Sequence, residues 1–206
     1  MIPFATSTGS RRNLAALAAH GWGLLLTPDN PNPQGFDLIA IDNGAWSCHQ
    51  RKIEWSPDRW LRLIERHGLA AQWVALPDIV CGGPESLARS LEWLPKVREL
   101  CARLLIVAQD GMTYADLAPH VGPDVGIFVG GSTDWKEKSL PMWGRLSRDA
   151  RCWLHVGRVN TQRRIRLCAL VGAHSFDGTS ASRFSKNVPF LTTMVNQQSF
   201  VFVGVE

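Results

Sequence analysis

The chain has 206 residues and a mass of 22.8 kDa, with 45% hydrophobic and 19% charged residues. That is enough apolar material for a sizeable core and excludes wholesale disorder, while no apolar run approaches the roughly 20 residues of a membrane span. A net charge of +4 permits a polyanionic partner without requiring one, and five cysteines with no CxxC pair argue against a disulfide framework or a compact cysteine zinc site.

The opening MIPFATSTGSRR lacks a basic segment followed by an apolar one, so no secretory leader is expected and the reducing cytoplasm is the expected compartment. PFAT (3–6) is the first candidate strand. A helical stretch over 10–20 follows and ends at Gly21, a residue suited to a helix C-terminus. WGLLLT (22–27) and DLIAID (37–42) are the next two strands, joined by a Pro/Asn-rich loop over 28–36 too short for a full helix. Ser56 and Pro57 open a helix over 56–67 as N-cap and first-turn residue. WVALPD (73–78) is strand four. A helix over 84–101 is expected to place Leu87, Leu91, Leu94, Val97 and Cys101 on one face, with a break or kink at Pro95. RLLIVAQ (103–109) and VGIFVG (125–130) are strands five and six. Pro141 predicts two short helices within 134–150. CWLHVG (152–157), a helix over 161–171 and AHSFD (173–177) complete the pattern.

Most of these strands are continuous apolar runs, as expected for parallel strands buried on both faces. Eight strands alternating with helices predict an α/β fold, a compact single (β/α)8 barrel over 1–206, with an open doubly wound sheet as the competing architecture.

Polar residues and glycines gather at the C-terminal ends of the strands. They are Asp42, Asp78, Gln109 with Asp110, Gly130 with Gly131 and Ser132, His155 with Gly157 and Arg158, and Asp177. In a parallel barrel these ends share the face that carries active sites, and converging carboxylates suit acid–base or nucleophilic work. Each also has a structural reading. An aspartate after a strand can cap a helix, Asp110 in its DG turn reads as structural, and a lone His155 reads as a core histidine.

Taken in order, IDNGAW (41–46), LPD (76–78), IVAQDG (106–111), FVGGS (128–132) and SFDGTS (175–180) resemble the tRNA-guanine transglycosylase superfamily. The resemblance implies a barrel that exchanges guanine for a 7-deazaguanine. It makes Asp177 the nucleophile that forms a covalent glycosyl intermediate and Asp42 the general acid/base. It places Trp46 against the base, Asp78, Gln109, Gly130 and Gly131 on its edge, and His155 or Val156 near its other face. That family's zinc cysteines are absent, since no cysteine follows Cys168, so neither a metal nor another cofactor is expected. The trimmed form is more similar to the DNA-guanine transglycosylases of phages and bacteria. This implies DNA, less so tRNA, and a free 7-deazaguanine base as partners, with Arg158, Arg183 and Lys186 on the nucleic-acid backbone and no role for a membrane.

Two other function classes fit the residues. A phosphate-binding barrel isomerase or lyase would use VGRVN (156–160) and DGTS (177–180) after strands seven and eight. A non-enzymatic barrel would bind nucleic acid or a protein without chemistry.

Overall fold

Each of eight strands takes the next as its parallel neighbour, and the last returns to the first. They are β1 (Ile2–Thr6), β2 (Gly23–Leu26), β3 (Ile39–Ile41), β4 (Val74–Ala75), β5 (Leu104–Ala108), β6 (Val125–Val129), β7 (Leu154–Val156) and β8 (Ser175–Asp177). The ring is a (β/α)8 barrel of the TIM type, and all eight strands lie where the apolar runs predict them. A computed structural model describes residues 1–200, with side chains to Gln197. Residues 201–206, the end of the expected 1–206 domain, lie outside the described residues.

The helices are α1 (Arg11–Ala19), α2 (Ala45–Arg51), α3 (Pro57–His67), α4 (Gly83–Val97), α5 (Tyr114–Leu117), α6 (Thr133–Asp149), α7 (Gln162–Leu170), α8 (Thr179–Arg183) and α9 (Asn187–Phe200). As expected, no helix joins β2 to β3. None of the described helices is long and apolar enough to cross a membrane.

Three helix expectations are corrected. α4 does not break at Pro95 but runs on to Val97 and hands over to a 3-10 turn. Pro95 is exposed and only two residues from the helix end, so little helix remains beyond it to be disrupted. The buried face of α4 is Ser86, Ser90 and Val97, and the predicted Leu87, Leu91 and Leu94 are only half-buried. Small residues let the helix press on the loop after β4, where Ser86 Oγ accepts from the Ile79 N–H at 3.2 Å and Ser90 Oγ donates to the Pro77 carbonyl at 2.9 Å. Likewise 133–149 is one helix rather than two: Pro141 is on the exposed face, where water rather than the apolar core meets the carbonyl that loses its donor.

Side chains alternate along each strand, so every strand feeds two cores. Leu24, Leu26, Ile39, Ile41, Ile106 and Ile127 point outward under the helices. Phe4, Leu25, Ala40, Trp73, Ala75, Leu105, Val107 and Phe128 fill the lumen. His155 joins them, fully buried, with ring centroids 4.3 Å from Trp73 and 4.5 Å from Phe128. One step of alternation beyond Ala40, Val107, Phe128, His155 and Ser175 brings Asp42, Gln109, Gly130, Gly157 and Asp177 inward. The site is thus the uppermost layer of the lumen, made polar.

Candidate active site

Asp42 sits half-buried at this layer, on the turn between β3 and α2, and its Oδ1 accepts from the Gly44 N–H at 2.7 Å. Gly44 adopts φ 81°, a left-handed conformation that lets the turn fold back on the carboxylate. Burial pushes the Asp42 pKa up to about 7, against the lowering effect of that N–H, and the charges of Asp177 and Asp78 push the same way as burial. A carboxyl that reaches solvent and titrates near neutrality suits a general acid/base.

Asp78 stands differently. Its Oδ1 accepts from Asn43 Nδ2 at 2.8 Å and its Oδ2 from Gln109 Nε2 at 2.6 Å. Gln109 Oε1 in turn accepts from the N–H groups of Gly131 at 3.1 Å and Cys81 at 3.3 Å. Asn43, Asp78 and Gln109 therefore tie together the turns after β3, β4, β5 and β6. Burial raises the Asp78 pKa, and its two amide partners oppose that rise. Asp110 is structural, as its DG turn suggested: its oxygens accept from the Ser132 N–H and hydroxyl just ahead of α6.

Asp177 ends a second network. His155 Nε2 lies 3.1 Å from Asp177 Oδ2, and His155 Nδ1 lies 2.8 Å from Ser175 Oγ. Trp153 Nε1 donates to the same Ser175 Oγ at 2.9 Å. Burial pushes the His155 pKa down, so the ring is neutral and carries one proton. The Ser175 oxygen already accepts from Trp153, so its hydroxyl is free to donate to Nδ1, which puts the imidazole proton on Nε2, facing Asp177. His155 itself has no exposed surface and reaches the mouth only through Asp177. The Arg158 N–H lies 3.3 Å from both Asp177 oxygens, and the Val159 N–H donates to the Asp177 carbonyl at 2.6 Å.

Trp46 is 39% exposed on α2, and the Arg158 guanidinium lies over its ring, 4.3 Å from the centroid. The guanidinium also donates to the Gly131 carbonyl. Arg183 and Lys186 are exposed on the segment after β8. Arg163 and Arg164 both pair with Glu137, as expected of a solvated helix face.

Three residues at the site escaped the sequence reading: Asn43, Ser175 and Lys136. The Lys136 ammonium is buried and donates to the Gly157 carbonyl; burial, with Arg158 adding, pushes its pKa down to about 8. A signal for it existed. Lys136 shares a helical face with Leu140, Trp143, Gly144 and Ser147, all buried, so it extends an inward stripe. Ser175 stands two residues before Asp177 and hence on the same face of β8.

Gly178 shows how tightly the last two loops are joined. A Cβ there would stand 2.3 Å from the Val159 carbonyl oxygen and 2.9 Å from Asn160 Oδ1. Its extended φ of −164° suits any residue, so the barrier is space alone. Gly178→Ala is expected to cost about 1–3 kcal/mol in urea unfolding, because backbone must move. A variant as stable as the parent would show that the loops are looser than this contact.

Closed barrel and polar mouth place the chain among the (β/α)8 barrels. No family model and no curated protein matches the sequence. Among solved structures, tryptophan synthase from M. tuberculosis superposes with a TM-score of 0.57 at 11% identity, over 97% of this chain and 91% of that one. The tryptophan synthase complex from Pyrococcus furiosus gives 0.52 at 13%, covering 97% and 94%. A native KDPGal structure gives 0.56 at 10%, covering 100% and 97%. Likeness at such identity establishes the fold alone. No transglycosylase appears among these neighbours, which overturns the family resemblance and with it the pentosyltransferase activity, DNA modification and 7-deazaguanine chemistry that it implied. The physical reason lies in the motifs. Each is a polar residue or glycine following a strand, and lumen alternation brings such residues to the mouth of any barrel of this kind, in chain order, whatever the reaction.

Proposed function

We propose that the protein is a barrel isomerase or lyase acting on a small phosphorylated carbonyl compound. The observation that carries this reading is Asp42, a solvent-reaching carboxyl whose pKa lies near 7 beside a second, fixed carboxylate. Ionised Asp42 takes a proton from the carbon next to the substrate carbonyl, leaving an enolate. In an isomerisation the same carboxyl returns the proton to the former carbonyl carbon while the hydroxyl proton passes between the two oxygens of the enediolate; in a cleavage the enolate expels a group from the β carbon, and the carboxyl gives that group the proton. Asp177, held by the His155 proton and the Arg158 N–H, is the fixed group that orients the substrate's polar end. Phosphate belongs at the loops after β7 and β8, its usual place in this fold. The resemblance to tryptophan synthases and to the KDPGal structure supports a barrel of this kind without naming its substrate.

The test is a thermal melt with a panel of phosphorylated aldoses, ketoses and keto acids, beside single- and double-stranded DNA and tRNA. A true ligand at a hundredfold its Kd stabilises by about 2.7 kcal/mol, a rise in Tm of roughly 5–10 °C for a chain of this size. Asp42→Asn is expected to keep that rise while losing turnover of the same compound. Stabilisation by nucleic acid alone would replace this reading with a nucleic-acid-binding barrel.

A further inference from the structure

The loops after β7 and β8 have few groups left for an anion. The Gly178 N–H donates to the Phe4 carbonyl and the Ser180 N–H to Asn160 Oδ1, so those backbone donors are spent. Lys136 is committed to the Gly157 carbonyl, and Arg163 and Arg164 are neutralised by Glu137. Arg158 differs. Among the described residues no ion pair includes it, and its half-buried guanidinium rests on one carbonyl and one aromatic face. A guanidinium so placed is short of acceptors, and a phosphate would supply them in bidentate geometry.

The backbone beneath this side chain is fixed. Arg158 has φ 59°, a left-handed conformation uncommon for a non-glycine residue, and its N–H points at both Asp177 oxygens. Gly157 before it is buried, and a Cβ there would stand 2.7 Å from the Phe128 ring. The side chain, by contrast, spans the mouth from the β7 loop to Trp46 on α2 and Gly131 after β6, held by two contacts that an anion can outcompete.

From this we infer that Arg158 is the anion receptor of the mouth, and that its seat on Trp46 and Gly131 is the closed position of a gate. The inference rests on the phosphorylated substrate proposed above and adds how its charge is received. Phosphate draws the guanidinium off Trp46, which uncovers the ring and widens the mouth above the half-buried Asp42 and the buried Asp177. The guanidinium exchanges its hydrogen bond to the Gly131 carbonyl for hydrogen bonds to the anion, with no covalent bond made or broken. The closed seat also sets a threshold, since a neutral analogue of the substrate gains nothing that would release Arg158.

The gate makes a prediction opposite to that of an ordinary binding surface. If Trp46 only holds the closed state, Trp46→Ala binds inorganic phosphate more tightly, by about two- to fivefold, because a partly exposed cation–π contact of that size no longer competes. Arg158→Gly, which suits φ 59° and so keeps the backbone, is expected to lose phosphate binding at least tenfold in calorimetry. With 5-fluorotryptophan incorporated and the Trp46 resonance assigned from Trp46→Phe, saturating phosphate should move that resonance in the parent to where Arg158→Gly already has it. Weaker binding in Trp46→Ala, unchanged binding in Arg158→Gly, or a Trp46 resonance that phosphate leaves in place would each overturn the gate. Absence of phosphate binding even in Trp46→Ala would overturn it as well. If the gate holds and no phosphorylated carbonyl compound is turned over, the proposed reaction falls and the anion receptor stands.

Discussion

Asp42→Asn is expected to unfold at higher urea than the parent at pH 8 and at the same urea at pH 4. The ordinary aspartate value is 3.8 and the folded value about 7. Between them the folded chain keeps a proton that the unfolded chain has lost. Stability then falls as pH rises through that window, and the full cost is present above pH 7. Three units correspond to roughly 4 kcal/mol, and solvent reaching the half-buried carboxyl reduces this to an expected gain of about 1–3 kcal/mol for asparagine at pH 8. Asparagine keeps an oxygen for the Gly44 N–H, so the local turn survives. Urea midpoints at pH 4, 6 and 8 test this. A gain that does not grow with pH would mean that ionisation of Asp42 is not what costs stability. A parent that tolerates such a cost where asparagine would remove it fits a residue kept for reactivity.

Trp73→Ala should have the largest effect of any single truncation in the lumen. Trp73 has no exposed surface and meets Phe4 at 5.6 Å and Phe128 at 5.8 Å between ring centroids, both edge-on, besides its contact with His155. Removing it leaves a void that a closed ring of strands cannot collapse around. The expected loss is about 3–5 kcal/mol, a fall in Tm on the order of 10 °C. Trp73→Phe is expected to cost far less, because the Trp73 Nε1–H has no hydrogen-bond partner among the described residues. The void would also lie against His155, so the proton facing Asp177 should lose its fixed position. Imidazole NMR can follow that loss. An alanine variant with full stability would show that the lumen is not packed as a single layer around this ring.

The strands were legible because parallel strands buried on both faces leave unbroken apolar runs. The start of α3 was legible in Ser56 and Pro57, although the Ser56 side chain makes no capping hydrogen bond, whereas at Ser10, which does cap α1, the cap went unread. Pro141 misled because sequence shows a breaker without showing that it faces water. α2 and α8 went unpredicted because seven and five residues give periodicity too little room. α9 was there to be read in Val188, Leu191, Met194 and Val195, all buried and spaced for one helical face. The site divides in the same way. That carboxylates crowd the mouth follows from strand ends alone. Which of them is held and which is free does not, because that depends on donors far away in sequence. Asp78 is held by Gln109, 31 positions on, while among the described residues the Asp42 carboxylate accepts only from the neighbouring Gly44 N–H.

The wall of the barrel is uneven in a way that bears on its motion. β5 and β6 pair at five positions, whereas β3 and β4 meet in register only at Ile41 and Val74, and β3 has no helix of its own leading into it. Native-state openings begin where pairing is short and cover is thin. That seam is therefore where the ring unzips most readily, and Asp42 and Trp46 ride just beyond it. Asp177 stands across the mouth on β8, which closes against β1 over three positions. The residue assigned to move protons thus stands just past the strand pair with the shortest register in the ring.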